Sequence, residues 1–261
     1  MNLKALVLFD IDGVIRDVSN SYRLAVKSTV EKYCFWRPTN KIIDDLKCEG
    51  CWNNDWDASL ELIKRHFERK GLQTSLPSEK NLIESFSKFY FGGDPQKSPR
   101  DWKGYINNEP LLVNRDLFEK LDKKKIGWGF VSGAEAESAK FVLETRLGLI
   151  KPPLIAMGDA PDKPNPTGFI KLATEILSMP LGSKTPPIAY LGDTVADVET
   201  VKRAKVEYPN QKFISLAIAP PHIRKKKDHN YLFEYEENLR KAGADHIFKL
   251  TTDLIKYVEN W

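Results

Sequence analysis

The sequence predicts an α/β fold in which a doubly wound parallel sheet carries a helical insertion after its first strand. The first observation is an apolar run at residues 6–9, which suits a strand buried on both faces of a sheet. The second is a long segment, 17–91, in which apolar residues recur at helical spacing. The third is the alternation of apolar strands and amphipathic helices from about residue 110, which is typical of a parallel sheet.

The composition is that of an ordinary globular protein. The chain has 261 residues, of which 41% are hydrophobic and 29% charged, and its net charge is +4. This is enough for one large domain, or for a core with a smaller domain. No stretch has the features of a signal peptide or a membrane span, and the three cysteines form no disulfide framework. We therefore expect a cytoplasmic protein with no membrane or nucleic-acid partner, and no feature of the sequence predicts an oligomeric state.

The elements can be predicted in order along the chain. The first strand is expected at residues 3–9, and about four helices follow in the insertion. Asn114 is placed to cap the first helix of the alternating region. Beyond a loop at 92–99, the sequence predicts a helix at 113–123, a strand at 126–131, a helix at 135–147, a strand at 154–157, a helix at 167–177, a strand at 187–191, a helix at 195–205, a strand at 213–218, a helix at 231–242, a strand at 246–248 and a helix from residue 252.

Two aspartates follow the first predicted strand directly. Asp10 and Asp12 are two residues apart, so their side chains point the same way if the chain stays extended, and Gly13 then allows a sharp turn. Two carboxylates held together without a neighbouring basic residue need a cation or a shared proton. Parallel sheets bind ligands at the carboxyl ends of their strands. The sequence therefore predicts a metal site at this edge of the sheet.

Polar residues also follow the later strands. Ser132 comes directly after the second strand of the core, Asp193 closes a later strand, and Asp197 lies four residues further on. A proline-rich loop between them supplies Lys163. One such residue is a weak signal, because serines and aspartates are common in turns. Their succession at one predicted edge of the sheet is much stronger evidence for a site.

The order of these segments resembles the haloacid dehalogenase superfamily. The segments that carry the resemblance are Asp10-Ile11-Asp12-Gly13-Val14, Ser132, Lys163-Pro164-Asn165-Pro166 and Gly192-Asp193-Thr194-Val195-Ala196-Asp197. The resemblance covers residues 5 to about 250. It implies a Rossmann-like core formed by residues 1–15 and 108–261, with a helical cap domain of the family's first type at 16–107. It also implies an Mg²⁺-dependent phosphotransfer site.

The resemblance implies a role for each motif residue. Asp10 would attack phosphorus and form an aspartyl-phosphate, and Asp12 would act as general acid and then as general base. Ser132, the Gly133 amide and Lys163 would bind phosphoryl oxygens. Mg²⁺ prefers oxygen ligands. The implied metal ligands are Asp10, the backbone carbonyl of Asp12 and Asp193. Asp197 would either complete this set of ligands or position Lys163.

The activity implied by the resemblance is hydrolysis of a small phosphorylated metabolite. A sugar phosphate or a phosphorylated organic acid would suit, and phosphoglycolate is one specific possibility. A phosphomutase of the β-phosphoglucomutase type shares the motifs and the cap and stays open as an alternative. A non-catalytic binding or regulatory protein on the same fold is the alternative from another class. A dehalogenase is disfavoured, because those enzymes lack the second aspartate of the first motif, which is present here as Asp12.

Within the predicted cap, a polar stretch between two tryptophans is a candidate substrate-binding segment. Apolar walls with a few placed polar groups are typical of small-molecule sites. The alternative interpretation is that this stretch precedes and caps a helix at 58–69, with Asp55 or Asp57 as the N-cap. The candidate substrate contacts are Asn53, Asn54, Asp55 and Trp56.

Three further features were weighed for function. Arg16 follows the first motif and could reach the substrate or line the hinge of the cap. Cys48 and Cys51 have a C-x-x-C spacing, but the chain has no second ligand pair for zinc, so we expect no metal site there, and a redox pair stays open as an alternative. The basic run 224–227 is expected to be a solvated loop and not a polyanion-binding patch.

Overall fold

The computed structural model describes residues 3–47, 49, 52, 54–95, 97–225 and 229–261. The chain divides into two compact units. The sheet unit contains the described residues up to Asp17 and from Pro110 onwards, and the helical unit contains those of 18–109. The candidate residues Cys48, Cys51 and Asn53 lie outside the described residues, as do Lys226 and Lys227 of the basic run.

The sheet unit is built on a parallel sheet of six described strands. In chain order they are β1 (Ala5–Phe9), β2 (Ile126–Val131), β3 (Leu154–Ile155), β4 (Ile188–Gly192), β5 (Phe213–Ile218) and β6 (His246–Phe248). Their spatial order is β3-β2-β1-β4-β5-β6, and every neighbouring pair is parallel. The predicted doubly wound parallel sheet is therefore confirmed.

Helices separate these strands along the chain and follow β6. Those of the described residues are α1 (Ser21–Cys34), α2 (Asn40–Lys47), α3 (Asp55–Arg69), α4 (Glu79–Phe91), α5 (Asp116–Lys123), α6 (Ala136–Lys140), α7 (Thr167–Leu177), α8 (Val195–Glu207), α9 (Pro221–Arg224), α10 (His229–Ala242) and α11 (Leu254–Tyr257). A wider π-helical turn, Phe141–Arg146, continues α6. Short 3₁₀ turns occupy Pro99–Asp101, Tyr105–Asn108, Thr251–Asp253 and Val258–Asn260.

The central strand β1 is buried on both faces. All five of its residues are fully buried, which is why its sequence is an unbroken apolar run. Leu6 and Leu8 belong to the core that includes residues of α7. Phe9, on the opposite face, packs edge-to-face against Phe118 of α5 with 5.8 Å between ring centroids. The helices on the two faces thus fix β1 at the centre of the unit.

The helix predicted at 113–123 begins later than expected. α5 starts at Asp116, and the Asn114 side chain caps nothing but lies 3.4 Å from the Asp116 carboxylate. The preceding residues are held outside a helix, because the Leu112 amide donates to the Ile15 carbonyl and Leu111 pairs with Arg16. The prediction of Asn114 as an N-cap was wrong for this reason.

The helical unit consists mainly of α1 to α4, and α1 packs against both α3 and α4. Tyr22 and Tyr90 stack with ring centroids 4.6 Å apart. The buried Glu109 carboxylate accepts hydrogen bonds from Ser21 Oγ at 2.5 Å and from the Tyr90 hydroxyl at 3.1 Å. Among the helices of the described ranges, none combines the length and apolar character needed to cross a bilayer.

Candidate active site

The carboxyl ends of neighbouring strands bring the motif residues together. Asp10 follows β1, Ser132 follows β2 and Asp193 follows β4, and β1 lies between the other two strands. The Asp10 amide donates to the Leu191 carbonyl at 2.8 Å, so the parallel pairing with β4 extends to the aspartate itself. The edge of the sheet predicted from the sequence is where these residues lie.

Three buried carboxylates form a cluster at this edge. One oxygen each of Asp10, Asp193 and Asp197 lies within 4.8 Å of the other two. The Lys163 ammonium is 3.2 Å from Asp10 Oδ1 and 2.5 Å from Asp197 Oδ1. Within the described residues of this cluster, three carboxylates thus face one ammonium, and a further cation would relieve the remaining repulsion.

The titration behaviour of the cluster reflects this crowding. Burial raises the pKa of the Asp10 carboxyl to about 6, against the opposing effect of the Lys163 charge. Burial and the neighbouring Asp10 and Asp197 carboxylates raise the pKa of Asp193 well above its usual range. Lys163 has a raised pKa, because the two carboxylates beside it outweigh the effect of its burial. Burial opposes ionisation of Asp197, yet its pKa is lowered by Lys163 and by hydrogen bonds from Thr194.

Asp197 is held by hydrogen bonds on both of its oxygens. Its Oδ2 accepts from the amides of Asp193 and Thr194, at 3.1 and 2.9 Å, and from the Thr194 hydroxyl at 2.7 Å. The bond from the Thr194 amide is one half of a capping box at the start of α8, and the other half is the Asp197 amide, which donates to Thr194 Oγ1 at 3.3 Å. Its Oδ1 accepts from the Lys163 ammonium at 2.5 Å. Of the two alternatives for Asp197, this geometry favours the positioning of Lys163 over metal ligation.

A tight turn follows Asp10 and carries Asp12. The Ile15 and Arg16 amides both donate to the Ile11 carbonyl, at 2.7 and 3.1 Å, which closes one helical turn. Gly13 adopts a φ of +77°, and a Cβ there would lie 2.0 Å from Asp193 Oδ2. Only glycine fits this combination of conformation and close approach.

Arg16 lies beside Asp12 and is fully buried. Its Nε donates to Asp12 Oδ1 at 2.6 Å, while the Asp12 side chain is 28% exposed. A buried guanidinium that binds a partly exposed carboxylate fixes the direction of that carboxylate. A direct contact of Arg16 with substrate stays a prediction.

Ser132 and Gly133 line a small cavity with Lys163 and Asn165. The Ser132 hydroxyl is buried and accepts from the Ala134 amide at 3.2 Å, which turns the chain at the strand end. Gly133 is exposed, and no atom lies within 4 Å of the position that a Cβ would take. The residues that line the cavity thus include an amide, a hydroxyl and an ammonium, which are groups that bind phosphoryl oxygens.

Sequence reasoning missed three hydroxyl groups that hold the site. The Tyr190 hydroxyl, on β4, lies 3.2 Å from the Lys163 ammonium. The Tyr235 hydroxyl, on α10, donates to the Asp193 carbonyl at 2.8 Å. The Thr251 hydroxyl donates to the Val14 carbonyl at 2.7 Å, in the turn that follows Asp10. The tyrosines lie within apolar or amphipathic patterns that indicate only packing, so no sequence signal marked them.

In the helical unit, the candidate substrate segment forms the start of α3. The Asn54 side chain accepts from the Trp56 amide at 2.8 Å and from the Asp57 amide at 3.4 Å, so Asn54 is the N-cap. The expectation that Asp55 or Asp57 caps a helix at 58–69 was wrong, because the helix begins three residues earlier. Both aspartates lie instead in its first turn, where negative charge is favourable.

The described residues of the basic run, Arg224 and Lys225, contact other residues of the sheet unit. Arg224 Nη1 donates to the Lys249 carbonyl at 2.7 Å, and Lys225 Nζ lies 2.9 Å from the buried Asp17 carboxylate. These contacts give both residues a structural role in the sheet unit. A polyanion-binding patch gains no support from them.

The donor set of the cluster fits Mg²⁺. The side chains that the described cluster offers are all carboxylates, whose oxygens magnesium prefers, and thiolate or imidazole groups are absent from the described cluster. Asp10 Oδ1 is buried and has no hydrogen-bond donor, although the Lys163 ammonium is within ion-pair distance. A buried carboxylate oxygen in this state is one that a cation would satisfy.

Comparison with known proteins gave one curated relative and many similar folds. No family model matches the chain. An imidazoleglycerol-phosphate dehydratase from Phytophthora nicotianae is 29% identical over 202 residues, which are 76% of this chain and 41% of that protein. The chain thus spans about two-fifths of the length of this relative.

Several solved structures share the whole fold. A candidate β-phosphoglucomutase from Thermotoga maritima has a TM-score of 0.63 at 17% identity, over 99% of both chains. Phosphatase Tt82 from Thermococcus thioreducens has a TM-score of 0.60 at 22% identity, over 90% of this chain and 99% of that one. A HAD-superfamily hydrolase, subfamily IA, from Geobacter sulfurreducens has a TM-score of 0.59 at 14% identity, over 98% and 96%. The chain therefore has the fold of the haloacid dehalogenase superfamily hydrolases, as its four motifs predicted.

Proposed function

We propose that this protein is an Mg²⁺-dependent phosphatase of the haloacid dehalogenase superfamily. It hydrolyses a small phosphorylated metabolite through an aspartyl-phosphate on Asp10. The observation that carries the proposal is the buried cluster of Asp10, Asp193 and Asp197, in which Lys163 pairs with Asp10 and Asp197, beside the cavity lined by Ser132. The shared fold with phosphatases and the order of the motifs support it.

The first half of the reaction would transfer the phosphoryl group to the protein. An Asp10 oxygen attacks phosphorus while the bond to the leaving oxygen breaks, and Asp12 donates its proton to that oxygen. Lys163, the Ser132 hydroxyl and the Gly133 amide hold the non-bridging oxygens. The Lys163 ammonium also offsets the repulsion between the anionic nucleophile and the anionic substrate.

The second half would release inorganic phosphate. Water attacks the phosphorus of the acyl phosphate, Asp12 takes its proton, and the bond from phosphorus to Asp10 breaks. Arg16 holds one oxygen of Asp12 throughout, which keeps the same carboxylate aimed at the leaving oxygen and then at the water. One group thus serves both steps.

Oxygen atoms of Asp10, Asp193 and the Asp12 backbone would hold the metal. When bound, Mg²⁺ would screen the negative charge of the cluster and of the phosphoryl group. Asp197 is occupied by Lys163 and Thr194 and is assigned to their positioning. In this proposal Asp10 is the nucleophile, Asp12 the acid–base group, Asp193 a metal ligand and Asp197 the residue that positions Lys163.

The test compares three proteins on p-nitrophenyl phosphate with and without Mg²⁺. We expect wild type to release phosphate only with Mg²⁺, and Asp10→Asn to lose at least about 10³-fold in kcat, because an amide cannot act as the nucleophile. Asp116→Asn, the same change at the start of α5, should keep wild-type activity. Equal slow release by wild type and Asp10→Asn would instead favour the non-catalytic binding protein.

Substrate class would be read from kcat/KM on a panel of phosphate monoesters. The panel contains sugar phosphates, phosphoglycolate and, because of the curated relative, imidazoleglycerol phosphate. A phosphomutase would return the phosphoryl group to the sugar, with a sugar bisphosphate as intermediate. Burst kinetics with bisphosphate and little net phosphate release would favour that alternative over a phosphatase.

A further inference from the structure

Tyr190 is the one aromatic hydroxyl of the described residues within hydrogen-bond distance of the Lys163 ammonium. It lies in the middle of β4, and its side chain is buried with 1% exposure. Its ring packs on Phe169 of α7, with ring centroids 5.5 Å apart. Both the strand and this packing hold the phenol in a single place.

The hydroxyl has three polar neighbours, which determine how its one proton is used. The Val131 carbonyl is nearest, at 2.6 Å, so the hydroxyl donates there. Its oxygen is then an acceptor for the Lys163 ammonium at 3.2 Å. The Asp197 carboxylate is also 3.2 Å away and accepts its own, shorter hydrogen bond from the same ammonium. Lys163 therefore has one neutral partner, Tyr190, and two charged partners, Asp10 and Asp197.

The three acceptors around Lys163 are unequal. Asp197 is 2.5 Å from the ammonium, whereas Asp10 is 3.2 Å away and makes an ion pair without a hydrogen bond. An ammonium has three donors, and a third fixed acceptor limits its rotation and its displacement towards Asp197. Because Val131 directly precedes Ser132, the same hydroxyl also ties Lys163 to the strand end that carries the phosphate-binding serine.

We propose that Tyr190 is a positioning residue, whose hydroxyl holds the Lys163 ammonium against Asp10 and at a fixed distance from the Ser132 strand end. This inference rests on the proposed phosphatase function and deepens it. The hydroxyl itself would contact neither substrate nor metal. Its effect is to keep the positive charge where negative charge develops during phosphoryl transfer.

The test is Tyr190→Phe, which keeps the ring packing and removes only the hydroxyl. With p-nitrophenyl phosphate and Mg²⁺ we expect kcat to fall about tenfold, as for the loss of one hydrogen bond to a charged group, with KM changed less than threefold. Tyr257→Phe, the same change in α11, should leave both constants unchanged. All rates are expressed per folded molecule, with the folded fraction measured by urea titration.

A double-mutant cycle separates positioning from a general packing effect. In a Lys163→Met background, Tyr190→Phe should lower kcat less than about twofold, because the group that it positions is gone. A wild-type kcat for Tyr190→Phe, or the same loss with and without Lys163, would overturn the proposal. Binding of inorganic phosphate by calorimetry is a second readout, in which Tyr190→Phe should weaken binding only when Lys163 is present.

The outcomes distinguish this inference from the function on which it rests. An inactive wild type that binds no inorganic phosphate contradicts the phosphatase itself. An active wild type whose Tyr190→Phe variant is equally active contradicts only the role of Tyr190.

Discussion

Gly13 gives the sharpest test of how the site is built, because one added methyl group would displace a proposed metal ligand, Asp193, without changing any charge. A Cβ at Gly13 would lie 2.0 Å from Asp193 Oδ2 and 2.6 Å from its carboxyl carbon. Ordinary contact would require the carboxylate to move by more than about 1 Å. The φ of +77° adds the cost of a left-handed conformation for alanine, about 1–2 kcal/mol.

We therefore expect Gly13→Ala to lose activity far out of proportion to stability. A displacement of about 1 Å in a reacting site can cost on the order of 100-fold in rate. The free energy of unfolding should fall by only about 1–3 kcal/mol, because the strain is confined to the Gly13 backbone and to one side chain at the carboxyl end of β4. The half-saturating Mg²⁺ concentration should rise as well.

Gly158→Ala is the matched control. Gly158 also has a positive φ, +87°, but no atom lies within 4 Å of the position of its Cβ. This variant should show the conformational cost in a urea titration and keep kcat within about twofold. Both proteins are assayed on p-nitrophenyl phosphate over a range of Mg²⁺ concentrations. If Gly13→Ala keeps the wild-type rate and metal dependence, then Asp193 is not a ligand placed against the turn.

Two further predictions concern the metal and the helical unit. Burial raises the pKa of metal-free Asp10 to about 6, so below that pH Mg²⁺ must displace a proton from this carboxyl to bind. The increase in Tm that Mg²⁺ causes should therefore be smaller at about pH 5 than at about pH 7.5. Equal increases at the two pH values would contradict the assignment of Asp10 as a metal ligand. Asn54→Ala should lower the stability of the helical unit by about 1 kcal/mol through loss of the α3 N-cap, and Asn54→Asp should restore it. A rise in KM without a change in stability would show instead that Asn54 contacts substrate.

The sequence predicted the sheet well because its strands carry strong local signals. β2, β5 and β6 have the predicted bounds, and aromatic and β-branched residues are frequent in all three. α7 also begins and ends where its periodicity indicated. The predicted end of an element was wrong where contacts with a distant segment of the chain decide the local conformation. The start of α5 is one case, because the residues before it pair with Ile15 and Arg16 instead of forming a helix.

The candidate site was predictable to the extent that its residues are polar groups at strand ends. Asp10, Ser132 and Asp193 were found in this way, and the buried cluster of aspartates lies where the pattern placed it. Tyr190 could not be found, because a tyrosine inside an apolar strand indicates core packing. The Lys163 ammonium, which contacts the Tyr190 hydroxyl, comes from a loop 27 residues earlier in the chain, and only the folded structure brings the two groups together.

The hydrogen bond between Thr251 and the Val14 carbonyl has a consequence for the order of events during synthesis. The two residues are 237 positions apart, so the turn that follows Asp10 receives this support only when nearly the whole sheet unit has been translated. At about 5–20 residues per second, the delay is roughly 10 to 50 seconds after the nucleophile emerges. A growing chain that already contains every motif residue up to Asp197 still lacks this contact and the one from Tyr235. The proposed phosphatase activity should therefore appear late on the ribosome, after β6 has joined the sheet and long after Asp10 and Asp12 have been made.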